Sequence, residues 1–364
     1  MGRALNKLVD IWASAVCHRR PSADGAPNRA VKRRLDGFCI GPMRLGLLCF
    51  GLASLTGCAA VRDDFPPIIE APTIGPADID LAEYDLTFSE DFERRLDVSA
   101  WGCGTRWIAH TPWAGDFGNA RFSDPLRNFP FVVANGLLRI EASKDGGRWR
   151  SGLLSGGNKC DDGSDFRQKF GYFEMRAKLP PGEGTWPAFW LVGHDAMPEY
   201  TVEIDVVEHY GHAPGLFFSH IHIHPGKDSG RKKEGDRKRF NVSPSSLYDY
   251  FNTYGVSVEE DYTIFYFNRR EYWRIETRDE YKQRLFPLVN LALGSGYSIE
   301  NTPNPSFMYV DYVRVYAKKQ RLAQTLAARA DSPARSSLSG ADACPLALNG
   351  SLADPFAETR RERC

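Results

Sequence analysis

The sequence predicts an all-β protein built as a two-sheet antiparallel sandwich, and three observations predict it. Short apolar or alternating runs recur at 131–133, 137–141, 171–178, 265–266 and 309–316. Clusters of Gly, Pro, Asp and Asn separate them, the punctuation of turns between strands. No apolar pattern of period 3.6 persists over a helix length between about residue 86 and 318. About 230 residues of this kind make one sandwich domain.

Composition narrows the function. The 364 residues hold 46 Lys+Arg and 46 Asp+Glu, for zero net charge, and 42% are hydrophobic. No global field draws such a chain to nucleic acid or an anionic membrane, so a charged partner must be read by a local patch. Six of the 8 Trp fall between Trp101 and Trp190. Flat amphipathic side chains concentrated in that way suit sugars, whose C–H faces pack on rings while their hydroxyls need polar groups.

The ends differ from the middle. Residues 1–42 carry eight Lys/Arg against three Asp and read as a basic leader or the product of a mis-set start codon. Residues 43–58 read as a signal peptide: Met43 and Arg44, an apolar run too short to span a bilayer, then Leu55-Thr56-Gly57-Cys58, which resembles a bacterial lipobox. Lipidation at Cys58 would be the sole membrane contact of an exported protein, located at the outer membrane, in the periplasm or outside the cell. The Pro-rich stretch 59–80 reads as a tether, 81–318 as the working domain, and 319–364 as a disordered Ala/Arg/Ser-rich tail. Cys103, Cys160, Cys344 and Cys364 remain downstream of Cys58 without metal-site spacing. Disulfides Cys103–Cys160 and Cys344–Cys364 are both open, as are free thiols.

Chemistry concentrates in 200–211. Glu203, Asp205 and Glu208 are threaded through Ile and Val. Three carboxylates in six residues contradict a purely structural strand, because like charges repel and desolvation is unfavourable. Glu203 and Asp205 share a face, whereas Glu208, at an odd spacing, points away on a regular strand. One extra residue in a bulge at Val206–Val207 returns it to the common face. Two Glu side chains leaning inward then bring their carboxyls to about 5–6 Å, the separation that suits retaining glycoside hydrolysis.

Here the chain resembles glycoside hydrolase family 16, whose E-x-D-x-x-E motif is matched by Glu203, Asp205 and Glu208. The resemblance extends upstream through Phe170-Gly171-Tyr172-Phe173-Glu174 and Trp186-Pro187-Ala188-Phe189-Trp190. Downstream it takes in 251–256, 289–294 and 308–316. It implies a jelly-roll, concanavalin-like sandwich with the substrate cleft on its concave face, acting as an endo-hydrolase on internal β-glycosidic bonds of a polysaccharide. Glu203 would be the nucleophile, Asp205 the helper carboxylate and Glu208 the acid/base. Trp186, Trp190, Trp107, Trp113, His220, His224 and Asn290 would bind substrate. Asp311, with the Gly136 carbonyl, would hold a structural calcium. No organic cofactor is implied, and the protein would act as a monomer. Transglycosylation on the same site and a non-catalytic glycan-binding sandwich are the alternatives. Asn252 and Ser257 depart from residues common in the family, which puts the subsites in question.

Two features remain. His220, His222 and His224 alternate with Ile, so they share one strand face and supply a competing zinc reading. Residues 227–239 carry seven Lys/Arg against three acids. That stretch reads as a solvated loop, or as a cleft border favouring an acidic polysaccharide.

Overall fold

The computed structural model describes residues 65–319, apart from 73, 74, 76, 114, 161, 162 and 196. The leader, the signal and Cys58, the start of the tether, and the tail with Cys344 and Cys364 lie outside the described residues.

Strands are numbered in chain order. The first sheet runs, in spatial order, β13 (Glu234–Asn241), β12 (Leu216–Pro225), β11 (Tyr200–Glu208), β10 (Thr185–Gly193), β17 (Leu285–Leu293), β8 (Leu153–Ser155), β3 (Trp107–Ile108) and β2 (Val98–Ser99). The second runs β16 (Arg270–Glu276), β15 (Tyr262–Phe267), β14 (Asn252–Val258), β9 (Gly171–Lys178), β18 (Ser306–Lys318), β6 (Leu137–Asp145), β7 (Arg148–Ser151) and β4 (Arg121–Phe122). In it, β1 (Tyr84–Glu90) also pairs with β18, and β5 (Phe131–Ala134) with β6. The one α-helix among the described residues, α1 (Pro244–Asp249), is six residues long.

Period-two alternation explains both the core and the cleft. In the first sheet Val202, Ile204, Phe189, Leu191, Phe217, Ile221, Ile223, Val289 and Leu291 meet Phe173, Met175, Val256, Met308, Val313 and Val315 of the second. The opposite face of the first sheet carries a separate apolar cluster of Trp186, Ala188, Trp190, Val192, Leu288 and Ala292. Both faces of β10 and β17 are therefore covered, which is why β17 is buried along its whole length.

On its outer face the second sheet buries a charge. Glu174 is fully buried and accepts hydrogen bonds from Arg269 Nε (3.0 Å) and Nη2 (2.9 Å), Tyr172 (2.6 Å) and Tyr312 (2.8 Å). Arg269 reaches it from the two-residue turn between β15 and β16, where Asn268 and Arg269 both have positive φ. The twist of a tight hairpin calls for that conformation.

The stretch read as a tether is, where described, part of the folded body. Phe65 packs edge-on against Tyr309 at 5.7 Å, Glu70 pairs with Arg176 at 3.0 Å, and Ile79 is buried. The apolar residues within a Pro-rich stretch gave it a surface to cover. Cys103 and Cys160 are joined as a disulfide spanning 57 residues.

Candidate active site

The register of β11 decides where its carboxylates point. Asp205 lies opposite His220 and Glu208 opposite Phe218, so three residues of β11 match two of β12. On the other side, Trp190 faces Asp205 while Phe189 faces Val207. The extra residue sits at Val206–Val207, and both valines enter the core. With two successive side chains inward, Glu208 returns to the face of Glu203 and Asp205.

Opposite them stands a ladder of rings on β12. Phe218, His220, His222 and His224 follow one another at centroid spacings of 5.8, 5.2 and 5.5 Å. Each carboxylate touches one histidine diagonally across the strand pair. His224 Nε2 is 3.4 Å from Glu203 Oε2, His222 Nε2 is 3.4 Å from Asp205 Oδ2, and His220 Nδ1 is 2.6 Å from Glu208 Oε2. Glu208 Oε1 also accepts hydrogen bonds from Trp186 Nε1 (3.0 Å) and the Tyr210 hydroxyl (3.1 Å).

This neighbourhood splits three chemically similar groups. Burial opposes the charge on Glu203, but His224, His222 and Lys233 outweigh it and hold the carboxyl down at about 2. Asp205 is raised well above the carboxylate range by burial and by the charges of Glu208 and Glu203. At Glu208 burial is again opposed, by His220 and His222, and the carboxyl lies below its ordinary value. Burial takes His222 down to about 4, so its ring is neutral near pH 7. Burial and the Glu208 charge hold the Tyr210 phenol protonated, as a donor. Neutral pH thus leaves two carboxylates with a carboxylic acid between them.

The cleft floor is aromatic and tightly bound together. Trp186 and Trp190 share the carboxylate face as their spacing required, yet they are only 8% and 5% exposed. Asn290 is fully buried, accepts from Trp190 Nε1 (2.8 Å) and donates to the Trp186 carbonyl (3.4 Å). Its amide is spent on the two tryptophans, so it positions them rather than meeting sugar. Trp113 lies over Trp190 at 6.1 Å, and Phe117 contacts both Trp186 and Trp190.

Trp107 is a correction. It is fully buried in the inter-sheet core, with its indole N–H on Glu90 (3.2 Å). A place on β3 turned the ring inward. Other rings stand open. Trp101 is half exposed and stacks on His110 at 4.2 Å. Tyr297, also exposed, lies on His212 at 3.5 Å beside Tyr210. An aromatic residue two positions past Glu208 was the available signal for Tyr210. Asn252 and Ser257 prove remote from the carboxylates, on β14 of the other sheet. Asn252 donates to the carbonyls of Ser246 (2.7 Å) and Tyr250 (3.2 Å), a structural duty.

Neither metal reading fits the residues present. Asp205, His220 and His222 offer ligand atoms within 4.8 Å of one another. The three-histidine zinc set is not what the fold brings together, because His224 is outside this group and turns its Nε2 to Glu203 at 3.4 Å. Asp311 gives its carboxylate to Arg176 at 2.8 Å, and Arg314 adds a second positive charge nearby. The carboxylate assigned to calcium with the Gly136 carbonyl is thus engaged in an ion pair.

Comparison with known proteins places this geometry in a family. Residues 135–314, which include all three carboxylates and the histidine ladder, match the model of glycosyl hydrolases family 16. The chain belongs to glycosyl hydrolase family 16. Among curated relatives of this family 16 chain, endo-1,3-1,4-beta-glycanase EglC of Rhizobium meliloti (strain 1021) is 29% identical over 263 residues, 66% of this chain and 53% of EglC. Glucan endo-1,3-beta-glucosidase A1 of Niallia circulans is 28% identical, over 67% of this chain and 39% of its own length. The chain thus spans about half or less of these relatives. Among solved structures, the laminarinase catalytic domain of Thermotoga maritima MSB8 superposes with a TM-score of 0.51 at 24% identity, covering 65% of this chain and 100% of that one. The jelly-roll sandwich is therefore the family fold.

Proposed function

We propose that this family 16 chain is an endo-acting, retaining glycosidase that hydrolyses internal β-glycosidic bonds of a polysaccharide. The observation that carries the proposal is the split of protonation across one face, with Glu203 ionised, Asp205 neutral and Glu208 ringed by donors. The names of the relatives, a 1,3-1,4-β-glycanase and a 1,3-β-glucosidase of endo type, support β-glucans as the first substrates to try.

In the first step Glu203 attacks the anomeric carbon, the bond from that carbon to the glycosidic oxygen breaks, and Glu208 delivers a proton to the departing oxygen. Glu208 must take up a proton from solvent for this, a change that its burial favours, and His220 Nδ1 stands 2.6 Å from Oε2. In the second step Glu208, now a carboxylate, takes a proton from water. The water oxygen bonds to the anomeric carbon as the ester to Glu203 breaks. Two inversions give net retention. The neutral Asp205 keeps a third negative charge out of the site and lets Glu203 leave as an anion. The half-exposed Trp101 and Tyr297 supply stacking faces for sugar rings along the cleft.

Export and lipid anchoring at Cys58 belong to the same proposal, supported by the lipobox-like sequence and by the Cys103–Cys160 disulfide. The test is release of reducing ends from laminarin and mixed-linkage glucan, with the product anomer read by NMR. Glu203→Gln and Glu208→Gln should each lose at least a thousand-fold in kcat. Unchanged turnover in both would refute the assignment.

A further inference from the structure

Beside the histidine ladder runs a strand that presents cations alone to the ladder's face, while its other face, with Glu234, Asp236 and Lys238, is mixed in sign. Arg237 lies opposite His220, Arg239 opposite Phe218 and Gly235 opposite His222. Directly opposed residues of antiparallel strands share a face, so Arg237 and Arg239 stand on the face of the histidines. The Arg237 guanidinium over the Phe218 ring, 4.8 Å from its centroid, places it there directly. Lys233 is in phase with them just before β13, and its charge acts on Glu203, Asp205 and His222.

The acids of the same strand have the opposite parity. Glu234 pairs with Arg278 at 2.8 Å, and Asp236 accepts from the Tyr281 hydroxyl at 3.4 Å, both on the other side of the sheet. Among the described residues no carboxylate pairs with Lys233 or Arg237, and Arg239 Nε donates only to the neutral Asn241 (3.1 Å). An edge strand that needs charge only to deter pairing with other chains has no reason to keep acids off one face. Gly235 carries no side chain between Lys233 and Arg237, which leaves an opening across from His222. A Cβ there would lie 2.2 Å from the Ile221 carbonyl oxygen, so glycine also lets the strands approach.

We propose that Lys233, Arg237 and Arg239 form an anion-binding border to the cleft, which selects a polysaccharide bearing carboxylate groups. This rests on the glycosidase reading above and names its substrate class. Uronates or acidic acyl substituents have the planar, two-oxygen shape that a guanidinium binds bidentately. An anionic chain entering a site that already holds Glu203 and Glu208 as carboxylates is repelled unless cations flank the approach. Three unpaired cations on one side of the carboxylates meet that requirement.

The probe is one backbone with and without charge: laminarin, and laminarin partly oxidised to carboxylates at its primary alcohols. Binding is read by affinity electrophoresis with Glu203→Gln, which needs no turnover, and kcat/KM is read with the active protein at 20 and 200 mM NaCl. The expected result is at least ten-fold tighter retardation by the oxidised polymer at low salt, reduced at high salt. Arg237→Gln/Arg239→Gln should lose at least ten-fold more on the oxidised polymer than on laminarin, mainly through KM. Lys233→Gln should do the same to a smaller degree. Equal retardation by both polymers, or variants that weaken both alike, would overturn the proposal. A sulfated galactan that competes as well as the oxidised polymer would overturn the carboxylate selectivity. Cleavage of neither polymer by the active protein, with selective retardation intact, would overturn the glycosidase reading and leave the anion-binding border standing.

Discussion

His224→Gln separates the electrostatic work of the histidine ladder from its packing. In the native protein Glu203 sits at about 2 against an ordinary 4.5, because His224, His222 and Lys233 outweigh burial. Losing the leading favourable partner while burial persists moves the carboxyl back toward 4.5 or past it. At pH 3.5 a group at 4.5 is only about one-tenth ionised, whereas a group at 2 is almost fully ionised. Glu203, as the proposed nucleophile, works only as the anion. The variant-to-native ratio of kcat/KM should therefore fall about five- to ten-fold further at pH 3.5 than at pH 7. The sign is fixed: a depressed carboxyl that loses its partner suffers on the acid side alone. The assay is initial-rate reducing-end release from pH 3 to 8, with circular dichroism at each pH to confirm folding. A ratio that stays flat across that range would show that His224 acts by packing or substrate contact, and would refute the argument for Glu203.

Three further outcomes follow from buried groups. Arg269→Met leaves Glu174 buried without its cation and should lower stability by about 3–5 kcal/mol in urea unfolding; a loss below about 1 kcal/mol would mean that the two tyrosines alone hold the charge. Replacing Cys103 and Cys160 by Ser opens a 57-residue loop, and the loop-entropy model puts the loss near 4 kcal/mol. Chemical denaturation would measure it, and no change in midpoint would contradict the model. Asn290→Leu strands the Trp190 N–H and should lower stability by about 1–3 kcal/mol. Because Trp186 holds Glu208, the same variant should also lower kcat/KM, and full activity would show that the floor keeps its geometry unaided.

The parts of the molecule legible in the sequence are those governed by period two. Strand 171–178 could be bounded from alternation, and the odd spacing of Glu208 demanded a bulge that the register now locates at Val206–Val207. The unread parts depend on long-range partners. Trp107 sits in a Gly-containing polar segment but docks into the core through pairing with β2 and β8, which no local pattern encodes. Asn290 is a polar residue inside an apolar strand, a signal for some duty. That the duty is to bind two tryptophans rather than sugar emerges only when β17 lies beside β10. The cations of one parity at 233, 237 and 239 were written in the alternation, yet they have meaning only once β12 is the neighbour of β13. Asp311 illustrates the converse, since a motif position does not reveal that Arg176 holds the carboxylate at 2.8 Å.

The bulge at Val206–Val207 has a consequence for how such a site varies in length. In a strand, facing is a matter of odd and even, so removing one valine would turn Glu208 into an even-spaced neighbour of Asp205 on a regular ladder, still on the same face. Adding one residue makes the spacing four, again even, but keeping Glu208 opposite Phe218 would then need a second extra residue in the bulge. The carboxylate face can therefore survive a one-codon deletion at this point in register, and a one-codon insertion only with a deeper bulge or a shifted register. Tolerance here follows the register with β12 more than the identity of the two valines.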